Sequence, residues 1–196
     1  MAAYGWVMQL TPELQRHTAG ALRGEREDLD GLIGAWLPVV LGWCSRLGGP
    51  RVDAEDAAHD VMMVVARRIG TVFAAEQFPA WLFAITRRTL ARHRRRAFVA
   101  RWIPGLSVDA ADPAASPVRL YAVAETNRRV QEILENVNEQ DREVLVLALL
   151  EDRPDTEVAA MLEIPLGTMK SRLRRARDRF LKQARAKNVF PGGDAP

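Results

Sequence analysis

Along both halves of this chain the apolar side chains recur at steps of three and four, and no stretch sustains the period-two alternation with β-branched residues that a strand requires. Sequences patterned this way bury their apolar stripes by packing helix on helix. The expected class is all-α. The pattern breaks once, over 103–117, where Pro104, Gly105, Pro113 and Pro117 stand among Ala, Ser and Asp, a composition that resists packed helix. That break divides 196 residues into two small helical domains on a flexible linker. The expected layout is an N-terminal extension at 1–26, a first domain at 27–100, a linker at 101–120, a second domain at 121–188 and a tail at 189–196.

In the first half, helices are expected at 29–47, stopped by Gly48, Gly49 and Pro50, and at 53–69. Asp53 is placed to cap the second of these, and Val61, Val64, Val65 and Ile69 form its apolar face. A third helix, 80–96, opens on Trp81, Leu82, Phe83 and Ile85 and becomes almost entirely arginine. Beyond the linker, Val130, Ile133, Leu134 and Val137 mark one helix and the run 144–150 another, before a break at Arg153 and Pro154.

The net charge is only +3, but the charges are in blocks. Residues 77–108 contain no acid and seven arginines, whereas 170–187 are basic with Asp178 the only acid. Acids gather at 25–30, 53–60 and 132–157. Clustered cations build the local potential that a polyanion feels. Cys44 is the only cysteine, so no intrachain disulfide or multi-cysteine zinc site can form, and a reducing cytosol fits. No signal-peptide pattern opens the chain, and no apolar run reaches the length of a bilayer span, so the expected location is cytoplasmic, without membrane insertion.

The clearest local architecture is at 155–180. A short helix at 156–162, a turn at 163–165 and a longer helix at 166–185 have helix-turn-helix spacing. On the longer helix Leu166, Met169, Leu173, Ala176 and Phe180 recur as a buried face. Thr168, Lys170, Ser171, Arg174 and Arg175 are left near its N-terminal end, where a recognition helix meets base edges and phosphates. Arg177, Arg179, Lys182 and Arg185 are placed to neutralise backbone phosphates.

These segments resemble known ones. Residues 141–147 (Asp-Arg-Glu-Val-Leu-Val-Leu), 156–162 (Thr-Glu-Val-Ala-Ala-Met-Leu) and 164–173 (Ile-Pro-Leu-Gly-Thr-Met-Lys-Ser-Arg-Leu) resemble region 4 of extracytoplasmic-function sigma factors, group 4 of the sigma-70 family. The resemblance implies minus 35 recognition by Thr168, Lys170, Ser171, Arg174, Arg175 and Arg177. Glu163 stands where the family commonly has Gly, and at a positive φ its side chain costs on the order of 1 kcal/mol. Residues 53–62 resemble region 2.2, which implies that Asp56, His59, Asp60 and Met63 face core RNA polymerase, on the clamp helices of β′. Residues 78–85 and the arginine-rich turns after them resemble regions 2.3 and 2.4. This implies minus 10 binding and melting by Gln77, Phe78, Arg87, Arg88, Arg92, Arg95 and Arg96, with Trp81 and Ile85 read as core. Arg88 and Arg92 replace the Asn and Asp often found in this helix of the family.

The implied partners are core polymerase (β′ clamp helices and β flap), promoter DNA and an anti-sigma factor, with no cofactor, no metal and no catalytic residue. Two other readings compete. One is an autonomous helix-turn-helix regulator. The other is a magnesium nuclease using Asp53, Glu55, Asp56 and Asp60, although helical acids at this spacing are more often a capped, solvated surface. A metal site from His59 with Asp56 or Asp60 lacks a further His or Cys nearby.

Overall fold

In a computed structural model the backbone is described for residues 11–100, 121–187 and 189, so the expected linker, residues 1–10 and most of the expected tail lie outside the described residues. The elements are α1 (Pro12–Leu22), α2 (Arg26–Gly48), α3 (Ala54–Arg68), α4 (Phe78–Ala100), α5 (Tyr121–Glu135), α6 (Glu139–Leu145), α7 (Asp155–Met161) and α8 (Leu166–Ala186). Single 3₁₀ turns at Ile69–Thr71 and Ala75–Gln77 join α3 to α4, and a π-helical turn at Val146–Leu150 extends α6. No strand occurs among the described residues.

The first half is a bundle around α2. Trp36 and Trp43 point inward from it, one to the edge of Phe78 (5.6 Å between centroids) and the other to the edge of Phe83 (5.0 Å). Each such fully buried side chain contributes roughly 1.5–3 kcal/mol relative to exposure, and edge-to-face pairing adds to that. Among the described residues α2 alone could cross a bilayer by length and composition, so the expectation that no apolar stretch has that length is too strict. Here Leu32, Trp36, Val40 and Trp43 are buried against protein. Asp53 caps α3 as expected, accepting from the amides of Glu55 (2.9 Å) and Asp56 (3.0 Å).

Helix α1 was not anticipated. Its inward positions are Leu14, Thr18 and Ala21, so the apolar stripe is weak. Thr18 is buried by donating its hydroxyl to the Leu14 carbonyl, 2.7 Å away. The usable signals were Thr11, which caps Leu14 N–H, and Pro12 at the first turn. Gly20 lets α1 approach α2 closely, because a Cβ there would lie 1.7 Å from an Asp28 carboxylate oxygen.

In the second half α8 packs on both α6 and α7, and α7 on the π-helical turn, while α5 covers the far end of α8 through Ile133, Ala184 and Val189. The turn between α7 and α8 holds Glu163 at φ +55°, so the left-handed conformation is carried by a residue with a Cβ. The two halves are in contact. Trp43, Phe83, Val144, Leu147 and Val158 belong to one continuous apolar cluster, and α4 packs on α7.

Candidate nucleic-acid interface

Helix α8 divides as the periodicity requires, with one exception. Met169 and Ala176 are fully buried, and Leu173 and Phe180 are partly buried against the core. Leu166, expected on that face, is 38% exposed as the first residue of α8. Thr168, Lys170, Arg174, Arg175 and Arg177 are exposed, while Ser171 is half-buried and donates to the Thr168 carbonyl at 2.9 Å. Lys170 lies 3.7 Å from Asp155 with its ammonium largely in solvent, a weak pair that a phosphate can displace. Lys182 and Arg185 are exposed too, but Arg179 is not a spare cation. It is paired at 2.5 Å with Asp141, which is buried and also accepts from Asn138 (2.7 Å), so the contact ties α8 to α6.

The arginine-rich helix α4 is more differentiated than its sequence. Arg88, Arg95 and Arg96 are exposed, as is Gln77 in the turn before the helix. Arg92 is paired with Asp60 at 2.9 Å. Arg87 is paired at 2.7 Å with Glu143, and Arg94 binds Glu139, both acids from the second half. Phe78, expected to line a base pocket, is 1% exposed: its ring lies between Trp36, which it meets edge to face, and the tilted ring of Trp81, and belongs to the core. Ile85 is buried and Trp81 partly so, as expected. The most exposed aromatic among the described residues is Phe73, 95% exposed in the connection between the two 3₁₀ turns. The clue was its place next to Ala74 and Ala75, outside any apolar periodicity.

On α3 the four residues expected to face a protein partner separate onto two faces. His59 and Met63, with Glu55, Met62 and Ala66, line an open groove of about 510 Å³ whose other wall is Ile33, Leu37 and Leu41 of α2. Leu37 and Met63 are 41% and 40% exposed there. Asp60 and Asp56 instead face α4. His93, 8% exposed, is 3.0 Å from Asp60 and 3.7 Å from Asp56. The hydrogen bond from His93, aided by the Arg92 charge, holds the Asp60 carboxyl below its usual range despite some burial. Asp60 thus fastens α3 to α4. Among the described residues no group of three His, Cys, Asp or Glu side chains could hold a metal. Cys44 is buried, and desolvation pushes its thiol up to about 12, which leaves it unreactive.

Comparisons with known proteins agree with this arrangement. The sigma-70 region 2 family matches residues 32–103 and the sigma-70 region 4 family matches 127–180. The extracytoplasmic-function RNA polymerase sigma factor RpoE of Cereibacter sphaeroides is 28% identical over 173 residues, 82% of this chain and 89% of that protein. The probable RNA polymerase sigma factor RfaY of Xanthomonas campestris pv. campestris is 30% identical over 149 residues, 73% of this chain; the match spans 37% of that longer protein. The solved structure of CnrH in complex with the cytosolic domain of CnrY shares the fold, with a TM-score of 0.65 at 22% identity over 89% of this chain and 99% of CnrH. With both regions present in order, an α8 that exposes a row of cations and a basic α4, the chain belongs to the sigma-70 family and is a promoter-recognising RNA polymerase sigma factor of the extracytoplasmic-function type.

Proposed function

We propose that this sigma factor binds core RNA polymerase through the α2–α3 groove, reads the minus 35 element with the N-terminal half of α8, and melts and holds the minus 10 element with α4 and the turn before it. The carrying observation is the exposed row Lys170, Arg174 and Arg175 at the end of α8 that a helix-turn-helix presents to the major groove. Arg88, Arg95, Arg96 and Gln77 supply backbone and base contacts at minus 10. Phe73 replaces Phe78 as the aromatic on which an unstacked base can rest. Leu37, His59 and Met63 make the adaptable, mostly apolar contact with the β′ clamp helices, and the second half engages the β flap. The protein acts in the cytoplasm as an initiation factor, without chemistry of its own.

A protein inhibitor of the anti-sigma type fits the same groove; CnrH, of like fold, was solved with the cytosolic domain of CnrY. Affinity capture from the native host tests this, and recovery of polymerase subunits alone removes the inhibitor from the scheme. The principal experiment is run-off transcription with purified core polymerase on a genomic promoter pool. Discrete starts that need this protein, and that are lost in the K170A/R174A/R175A variant, support the assignment. Tight binding of duplex DNA without affinity for polymerase overturns it in favour of an autonomous regulator.

A further inference from the structure

The arginines of α8 lie on different sides of the helix. Successive residues of a helix differ by about 100° in direction, so Arg172 points nearly opposite to Lys170 and Arg174 and only about 40° from the buried Ala176. Arg172 is half-buried, on the flank of α8 turned toward α6. There it borders an open cavity of about 580 Å³, walled by Arg172, Arg175 and Arg179 on one side and by residues 138–141 at the start of α6 on the other.

Charge in this cavity is unbalanced. Both acids of its wall are already neutralised, Asp141 by Arg179 at 2.5 Å and Glu139 by Arg94 of α4. Asn138 is engaged as well: its amide donates to the Asp141 carboxylate (2.7 Å) and its side-chain oxygen accepts from the Asp141 N–H (2.9 Å). What remains is the exposed amide of Gln140 together with Arg172 and Arg175, which make no hydrogen bond or ion pair among the described residues. A guanidinium partly withdrawn from water loses hydration, and an anion in the cavity would supply the missing acceptor.

We propose that this cavity binds a free polyphosphate, of the kind a nucleotide carries, held by Arg172, Arg175 and Gln140. Each guanidinium offers a fork of N–H donors that matches phosphate oxygens. Positions 172 and 175 are one turn apart, roughly 5–6 Å between Cβ atoms, so both forks reach one phosphate or two linked ones. The volume lies within the range of small-ligand sites, about 300–1,000 Å³, and every residue of the wall is polar. The direction of Arg172 separates the site from promoter DNA, because a duplex gripped by Lys170 and Arg174 lies on the other side of the helix. Arg175 stands between the two faces, so an occupied cavity withdraws one cation from the DNA surface. That consequence rests on the minus 35 role of Arg175 given above; the site itself does not.

The test is isothermal titration calorimetry of the full chain with inorganic tripolyphosphate, at an ionic strength held constant with potassium chloride. The wild type binds it at a single site. Arg172→Ala lowers the affinity about tenfold or more, the scale of a hydrogen bond to a charged group, and Arg172→Gln, which keeps the aliphatic stem, does the same. Arg174→Ala removes the same charge from the opposite side of α8 and leaves the affinity unchanged; thermal melts confirm that each variant folds. No binding at about 1 mM ligand overturns the site, and so does an equal loss in Arg174→Ala, which marks unspecific attraction to net charge. If the wild type binds no tripolyphosphate but Arg172→Ala lowers the salt slope of holoenzyme on a promoter duplex by about 0.9, the cavity holds a backbone phosphate and the proposal falls. Tripolyphosphate that binds without weakening promoter binding leaves the site standing and counts against the DNA role of Arg175.

Discussion

Arg175 and Arg179 are one turn apart on α8, and the structure assigns them opposite jobs. Arg175 is exposed, whereas Arg179 neutralises the buried Asp141. If Lys170, Arg174 and Arg175 each neutralise one phosphate, α8 contributes a slope of about −2.7 to log K against log salt, at ~0.9 per phosphate. That alone is roughly a 40-fold loss of affinity between 50 and 200 mM salt. Arg175→Ala is expected to reduce the slope by about 0.9 and leave thermal stability unchanged. Arg179→Ala is expected to leave the slope unchanged. It strands a buried carboxylate that keeps Asn138 as a side-chain partner, at a cost of about 1–3 kcal/mol, which lowers Tm by roughly 3–10 °C in a chain of this size. The assay is fluorescence anisotropy of holoenzyme on a promoter duplex over a potassium chloride series, paired with thermal melts of the free protein. A slope that falls equally for both variants, with no loss of Tm in Arg179→Ala, refutes the division of labour.

Other consequences are testable by ordinary means. Arg153→Met leaves Glu151 buried without its cation, and urea unfolding at neutral pH should show a loss of about 3–5 kcal/mol. Because burial already pushes Glu151 up, the deficit should shrink as acid neutralises it; a pH-independent deficit would show that lost packing, not charge, is the cause. Asp60, held low first by His93, contributes stability that is present above the ordinary value of 3.8 and is lost as pH falls through its lower folded value. Asp60→Asn should therefore flatten the acid limb of a stability–pH curve, and an unchanged limb would exclude the α3–α4 tie. Phe73→Ala should change stability by less than about 0.5 kcal/mol while weakening the open complex by roughly 1–3 kcal/mol, read by permanganate footprinting of the melted strand. Equal footprints would leave Phe73 without a role.

What could be read from sequence was whatever depends on local order. The helices around Val61–Val65 and Met169–Ala176 follow from spacing, and the cap at Asp53 from one residue type in one place. Side-chain roles within a helix were harder, because two residues one position apart differ by about 100° in direction. Asp60 was grouped with His59 as partner-facing, yet it faces α4. Phe78 looked like a loop aromatic because it precedes Pro79, but the helix starts at Phe78 itself and turns the ring inward. Arg179 looked like its neighbours because its partner, Asp141, is 38 residues away. Helix α1 escaped because a self-satisfied threonine takes the place of an apolar residue.

The charge blocks make the same point at larger scale. The acid-free stretch containing Arg87 and Arg94 and the acidic stretch containing Glu139 and Glu143 were visible as composition, but their pairing depends on how the halves pack, which no local pattern encodes. Their chemistry also bears on what the interface is for. A buried ion pair is seldom the most stable way to fill a space, since the Coulomb gain must repay desolvation, and apolar groups of similar volume often do better by about 1–4 kcal/mol. At Glu143 desolvation wins: burial raises the carboxyl above its ordinary value although Arg87 lies against it. The apolar cluster that Trp43, Phe83, Val144 and Leu147 share across the halves supplies the attraction, and the Arg87–Glu143 pair is better suited to fixing which surfaces meet.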